Sequence, residues 1–129
     1  MVIISITMAK QKRILIAEDE KPMARALTLK LEHEGYEVET TYDGEEAISK
    51  LAESQFDLIL CDLVMPKVDG FAVLEEVKNK KIKTPIVILS NLGQEEDQEK
   101  AKSLGAKEFF IKSNTPIKNI VEQVKKMLG

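Results

Sequence analysis

The stretch FDLILCDLVMPKVDG, residues 56–70, carries the reading of the whole chain. It begins as an apolar run, the pattern of a strand buried on both faces. The run then meets Asp62. A carboxylate in or against a core is costly unless it is paired, metal-bound or catalytic. Met65-Pro66 cannot extend a central strand, so the strand ends near Asp62. Asp69-Gly70 then punctuates the loop before a helix with Phe71, Leu74 and Val77 on its apolar face. Asp62 is therefore expected at the carboxyl end of a buried strand, the edge where open parallel sheets bind ligands.

The same alternation extends in both directions. Arg13-Ile14-Leu15-Ile16-Ala17 reads as a first buried strand ending at Glu18-Asp19-Glu20. Pro22 suits a helix first turn; Ala24, Leu27 and Leu31 give that helix its apolar face, and Gly35 can cap it. YEVETT, residues 36–41, is a shorter and more polar strand, as expected at a sheet edge. Asp43-Gly44-Glu45-Glu46 opens a second helix with Ala47, Ile48 and Leu51 inward, its acidic first turn suiting the helix dipole. Beyond Asp62, residues 78–83 form a basic loop, most simply a solvated face, and Ile86-Val87-Ile88-Leu89 is a strand ending at Ser90. A fourth helix over residues 94–104 has little besides Ala101 and Leu104 to bury, so it is expected to be mobile. Residues 107–111 form a fifth strand that ends at Lys112. Thr115-Pro116 starts a last helix with Ile117, Ile120, Val121, Val124 and Leu128 at helical spacing. Five strand-helix units with short links predict an α/β domain, a parallel sheet with helices on both faces.

Composition narrows the class. The chain's 129 residues suit one domain with one sizeable core, expected over residues 12–129, after a short leader over residues 1–11. Residues 1–7, MVIISIT, lack a basic leader and a cleavage site, and Met8 reads as a fresh start. A net charge of -3 without a basic arm points away from nucleic acid. No apolar run is long enough to cross a bilayer. A single cysteine, Cys61, excludes an internal disulfide framework and fits a reducing, cytoplasmic setting. Cys61 itself reads as a buried strand residue, and His33 as a surface or helix-end residue.

Four strand ends carry polar groups: Glu18 with Asp19, then Asp62, Ser90 and Lys112. Parallel strands place all of them at one edge. Acidic residues after strands often only cap the next helix, and Glu20 and Asp43 are read in that way. Three clustered carboxylates require a proton or a cation, and an all-oxygen set without His or Cys favours Mg²⁺. A metal, the Lys112 ammonium and the Ser90 hydroxyl together suit the oxygens of a phosphoryl group, with a carboxylate as nucleophile.

On these residues the chain resembles the receiver domains of bacterial two-component response regulators, in their single-domain chemotaxis-regulator form. The resemblance runs from about Lys12 to Leu128 and rests on Glu18-Asp19, on Asp62 through Gly70, and on Ser90, Gly105-Ala106 and Lys112. It implies a flavodoxin-like, doubly wound sheet of order 2-1-3-4-5 with five helices. It implies Asp62 as phosphoacceptor and Glu18, Asp19, Asp62 and the Val64 backbone carbonyl as Mg²⁺ ligands. It further implies Lys112 and Ser90 as partners of the phosphoryl group, and Ser90 with Phe109 as the switch. The implied donor is a phosphohistidine on a sensor kinase or phosphotransfer protein. The domain would catalyse its own phosphorylation and dephosphorylation rather than conventional turnover. A surface of the fourth helix, fifth strand and fifth helix would then meet a downstream protein or effector domain, or form a homodimer.

The sequence departs from the family pattern in two places. Phe109 stands where members often have Tyr, which removes a hydroxyl from the switch. Ser113 follows the lysine where many have a cis proline; a non-proline cis bond costs roughly 3–4 kcal/mol, so trans is expected. Glu18 replaces a commoner Asp within the family's range. The alternatives are a receiver-like interaction module that is not phosphorylated, and a metal-dependent phosphatase. The latter usually needs a second Asp two residues after the nucleophile, where this chain has Val64.

Overall fold

The computed structural model describes residues 11–129, and the expected leader falls largely outside them. Strands β1 (Arg13–Ala17), β2 (Glu37–Thr41), β3 (Leu58–Cys61), β4 (Ile86–Ser90) and β5 (Ala106–Ile111) form one parallel sheet in the order β2-β1-β3-β4-β5. Helices α1 (Lys21–His33), α2 (Gly44–Glu53), α3 (Gly70–Asn79), α4 (Glu95–Ser103) and α5 (Ile117–Leu128) link or follow them. The expected order and elements are present. Lys78 and Asn79 belong to the last turn of α3 rather than to the basic loop. A short 3₁₀ turn, Lys112–Asn114, separates β5 from α5.

Strand side chains alternate between faces, and this divides the core in two. Ile14, Ile16, Leu58, Leu60, Val87 and Leu89 pack with Leu27 and Leu31 of α1 and Ile120, Val121 and Val124 of α5. Leu15, Ala17, Ile59, Cys61, Ile86 and Ile88 pack with Ala47 of α2, Val73, Leu74 and Val77 of α3, and Ala101 of α4. Both faces of β1, β3 and β4 are thus covered, which explains why these strands read as continuous apolar runs. Each fully buried Leu or Ile contributes about 1.5–3 kcal/mol relative to exposure. The edge strands are more exposed, and α4 fully buries only Ala101.

The strand order reverses between β1 and β3, whose register pairs Ala17 with Cys61. Both chains leave the sheet at the next residue, so Glu18 and Asp62 emerge side by side, with the Asp62 amide donating to the Ala17 carbonyl at 2.9 Å. On the other side β4 and β5 pair Ser90 with Ile111, one residue before Lys112.

The loop after Asp62 is held at its far end by two close backbone approaches. A Cβ on Gly70 would overlap the Asp62 carbonyl oxygen, and one on Gly44 would overlap that of Val68. Asp69 caps α3 by accepting from the Ala72 amide at 2.9 Å. Gly70→Ala is expected to destabilise the chain by about 1–3 kcal/mol through overpacking, read as a lower urea midpoint at unchanged slope. An unchanged midpoint would show that the contact is not tight.

Candidate functional site

The strand ends surround a cleft of about 330 Å³ lined by Asp19, Glu20, Asp62, Val64, Ser90, Asn91, Leu92 and Lys112. At its floor Asp62 is 5% exposed. Asp62 Oδ1 accepts from the Val64 amide at 3.3 Å, and Oδ2 accepts from Lys112 Nζ at 2.7 Å. The Lys112 ammonium also lies 2.7 Å from Glu18 Oε1 and 2.6 Å from Glu20 Oε1. One cation is therefore shared by three carboxylates.

Burial alone would lower the affinity of Lys112 for its proton. The carboxylates of Asp62, Glu18 and Glu20 outweigh this and raise its pKa above the ordinary lysine range. Lys112 is thus a fixed positive charge. For Glu18, burial dominates the favourable pull of Lys112 and pushes the carboxyl up to about 7. Glu18 Oε2 accepts from the Glu20 amide at 2.9 Å, but Oε1 is buried without an aligned hydrogen bond, despite its closeness to Lys112. A sealed, incompletely answered carboxylate oxygen is costly, and it marks where a further positive charge would be stabilised.

The structure brings Glu18, Asp62 and Lys112 into contact, and places Asp19, Val64 and Ser90 around the same cleft. The carboxylate oxygens within 4.8 Å of one another belong to Glu18, Glu20 and Asp62; Asp19 lines the cleft without joining that set. Ser90 is buried, and its Oγ accepts from the Leu92 amide at 3.1 Å. Phe109 lies outside the cleft, pairing in register with Ile88 and half-buried beside α4. Cys61 is buried and burial raises its thiol pKa, so it is an inert strand residue; His33 is exposed at the end of α1. No cis peptide bond occurs among the described residues, so the Lys112-Ser113 bond is trans as expected.

Asp43 does cap α2, accepting from the Glu46 amide at 2.8 Å. Glu20 corrects the expectation: it occupies the N-cap position of α1 but makes no side-chain cap bond, and its carboxylate turns to Lys112. A glutamate is a poor cap because its longer side chain does not match the reach of Asp or Ser, a signal present in the sequence. Asn91 was also missed. Its Oδ1 accepts from the Ser113 amide at 2.9 Å, tying the loop after β4 to the turn after β5.

The family model described as "Response regulator receiver domain" matches residues 14–125. This chain belongs to the response regulator receiver family. Receiver domains are the phosphorelay modules of two-component systems. It is 36% identical over 118 residues to the transcriptional regulatory protein ResD of Bacillus subtilis, covering 92% of this chain and 48% of ResD. It is 33% identical over 116 residues to the response regulator ArlR of Staphylococcus saprophyticus, covering 90% of this chain and 52% of ArlR. The chain spans about half the length of these relatives. A CheY-like receiver domain protein from Methanospirillum hungatei is similar in structure, with a TM-score of 0.87 and 26% identity, over 92% of this chain and 94% of that one. The Francisella response regulator 1452 receiver domain gives 0.85 and 27%, over 91% of this chain and 96% of that one. The implied fold and family are therefore borne out. No helix among the described residues is long and apolar enough to cross a membrane.

The Glu18 carboxyl has a pH consequence in metal-free buffer. Its folded pKa of about 7 lies above the ordinary glutamate value of 4.5, so the folded chain keeps a proton that the unfolded chain loses. This contribution is fully present below pH 4.5 and is lost as pH rises through about 7, a change of about 3 kcal/mol. Urea unfolding with a chelator from pH 4 to 8 should show wild type losing stability relative to Glu18→Gln across about that window. A constant difference between the two would contradict the raised pKa.

Proposed function

We propose that Asp62 is the phosphoacceptor of this receiver domain, taking a phosphoryl group from a phosphohistidine on a sensor kinase or phosphotransfer protein. The observation that carries this is the 2.7 Å bond between buried Asp62 Oδ2 and Lys112 Nζ inside the cleft. A carboxylate oxygen of Asp62 attacks phosphorus, and the bond from phosphorus to the imidazole nitrogen breaks. The imidazole leaves with that electron pair. Lys112 balances charge on the transferred oxygens, and the Ser90 hydroxyl can turn from the Leu92 amide to donate to one of them. The protein's part is positioning and charge neutralisation.

The donor set fits Mg²⁺. Glu18, Asp19 and Asp62, with the Val64 carbonyl, offer hard oxygen ligands, and the incompletely answered Glu18 oxygen supports a cation there. Bound Mg²⁺ would supply electrostatic stabilisation of the phosphoryl oxygens. The receiver unit spans residues 12–129 after the leader, and the setting is cytoplasmic. Downstream, Ser90 and Phe109 couple phosphorylation to the surface of α4, β5 and α5, which meets a protein partner, an attached effector domain or a second copy. The sparse burial of α4 supports this direction of movement. The intact acidic set and Lys112 argue against a silent interaction module.

Intact mass after incubation with acetyl phosphate should show one Mg²⁺-dependent phosphoryl adduct, abolished in Asp62→Ala. An adduct that survives the substitution would place the acceptor elsewhere. For the switch, amide spectra with a beryllofluoride mimic should move signals of α4 and β5, and Ser90→Ala should shrink those movements. Identical spectra with and without the mimic would remove the coupling.

A further inference from the structure

Glu20 stands directly before α1, yet its side chain makes no bond that caps the helix. Its Oε1 is 2.6 Å from Lys112 Nζ, the same ammonium that bonds Asp62. The three carboxylates on that ammonium are not equivalent. The Glu18 and Asp62 side chains are 2% and 6% exposed, whereas that of Glu20 is 58% exposed. Lys112 is thus held from within by two sealed groups and from the rim by one solvated group. An ammonium has three donors, and a phosphoryl group on Asp62 brings further anionic oxygens to it. These oxygens compete with the partners that the ammonium already has. Releasing a buried carboxylate leaves a desolvated charge without its partner, while a rim carboxylate is taken up by water.

The geometry points to Glu20 as a latch on Lys112, a positioning residue that holds the ammonium at the rim until a phosphoryl group on Asp62 displaces it. The displacing group rests on the phosphoacceptor reading above; the Glu20–Lys112 contact does not. The latch opposes transfer, because the contact must break before Lys112 serves the phosphoryl oxygens. A largely exposed ion pair is weak, so the brake amounts to about two- to fivefold in rate. A carboxylate at the mouth also repels an anionic donor. Glu20→Asp separates the two effects: it keeps the charge but is one methylene too short for the observed contact.

The test uses the full chain as wild type, Glu20→Gln and Glu20→Asp, with two measurements. Labelling of Lys112 by a neutral amine-acylating reagent is followed by peptide mass in chelator. Adduct formation from acetyl phosphate is timed at saturating Mg²⁺. Both substitutions should raise Lys112 labelling relative to the other lysines, and both should speed phosphorylation about two- to fivefold. Because no cap bond is lost, a purely structural role would leave Lys112 labelling unmoved. Unchanged labelling in both variants overturns the latch. Acceleration by Gln alone, with Asp equal to wild type, overturns it in favour of charge repulsion. Raised labelling in both variants with no adduct in any chain, wild type included, supports the Glu20–Lys112 hold and overturns instead the phosphoacceptor reading that supplies its displacing group.

Discussion

A carboxylate at the end of a buried strand has to be answered by a cation, and here the cation comes from 50 residues further along the chain. The bond between Lys112 and Asp62 closes only if β4 and β5 follow β3 on the same side of the sheet and in parallel. The apolar strands supply most of the stability; the ion pair supplies a demand on geometry. Breaking one side of such a buried pair leaves a desolvated charge and typically costs about 3–5 kcal/mol. The topology that satisfies hydrophobic burial is therefore also the one that assembles the site.

The same site carries more negative charge than one lysine can balance. Three carboxylates contact Lys112, and Asp19 lines the cleft beside them. Burial makes the imbalance felt most at Glu18, which holds its proton to about pH 7. An environment with surplus negative charge and fixed oxygen ligands is built to receive positive charge and, through it, anionic oxygens. On the proposed reading, acceptance of a phosphoryl group would follow from the electrostatics of the strand ends rather than from any single residue.

Much of this was legible in the sequence because it depends on periodicity and termination. Apolar runs ending in Ala17, Cys61 and Leu89 marked buried parallel strands, and the polar residue after each marked the working edge. The family resemblance then supplied the strand order, which the residues alone did not determine. Glu20 was misread because capping depends on side-chain reach, and its proximity in sequence to α1 concealed its proximity in space to Lys112. Asn91 gave no sequence signal, since its partner is the backbone amide of Ser113, a group every non-proline residue carries. Here the usual family proline would have removed that donor.

The glycines beside the loop after Asp62 have a mechanical consequence. Gly70 seats α3 against the Asp62 carbonyl, and Gly44 seats α2 against that of Val68. The flank of the site formed by β3, α2 and α3 is thereby wedged in place, backbone on backbone. Across the cleft, α4 has one fully buried side chain, Ala101. The two flanks therefore differ in how tightly they are packed, and on the proposed reading a change at Asp62 would meet a wall on one side and a looser helix on the other. Where a signal leaves this domain is decided as much by the parts that resist as by the parts that move.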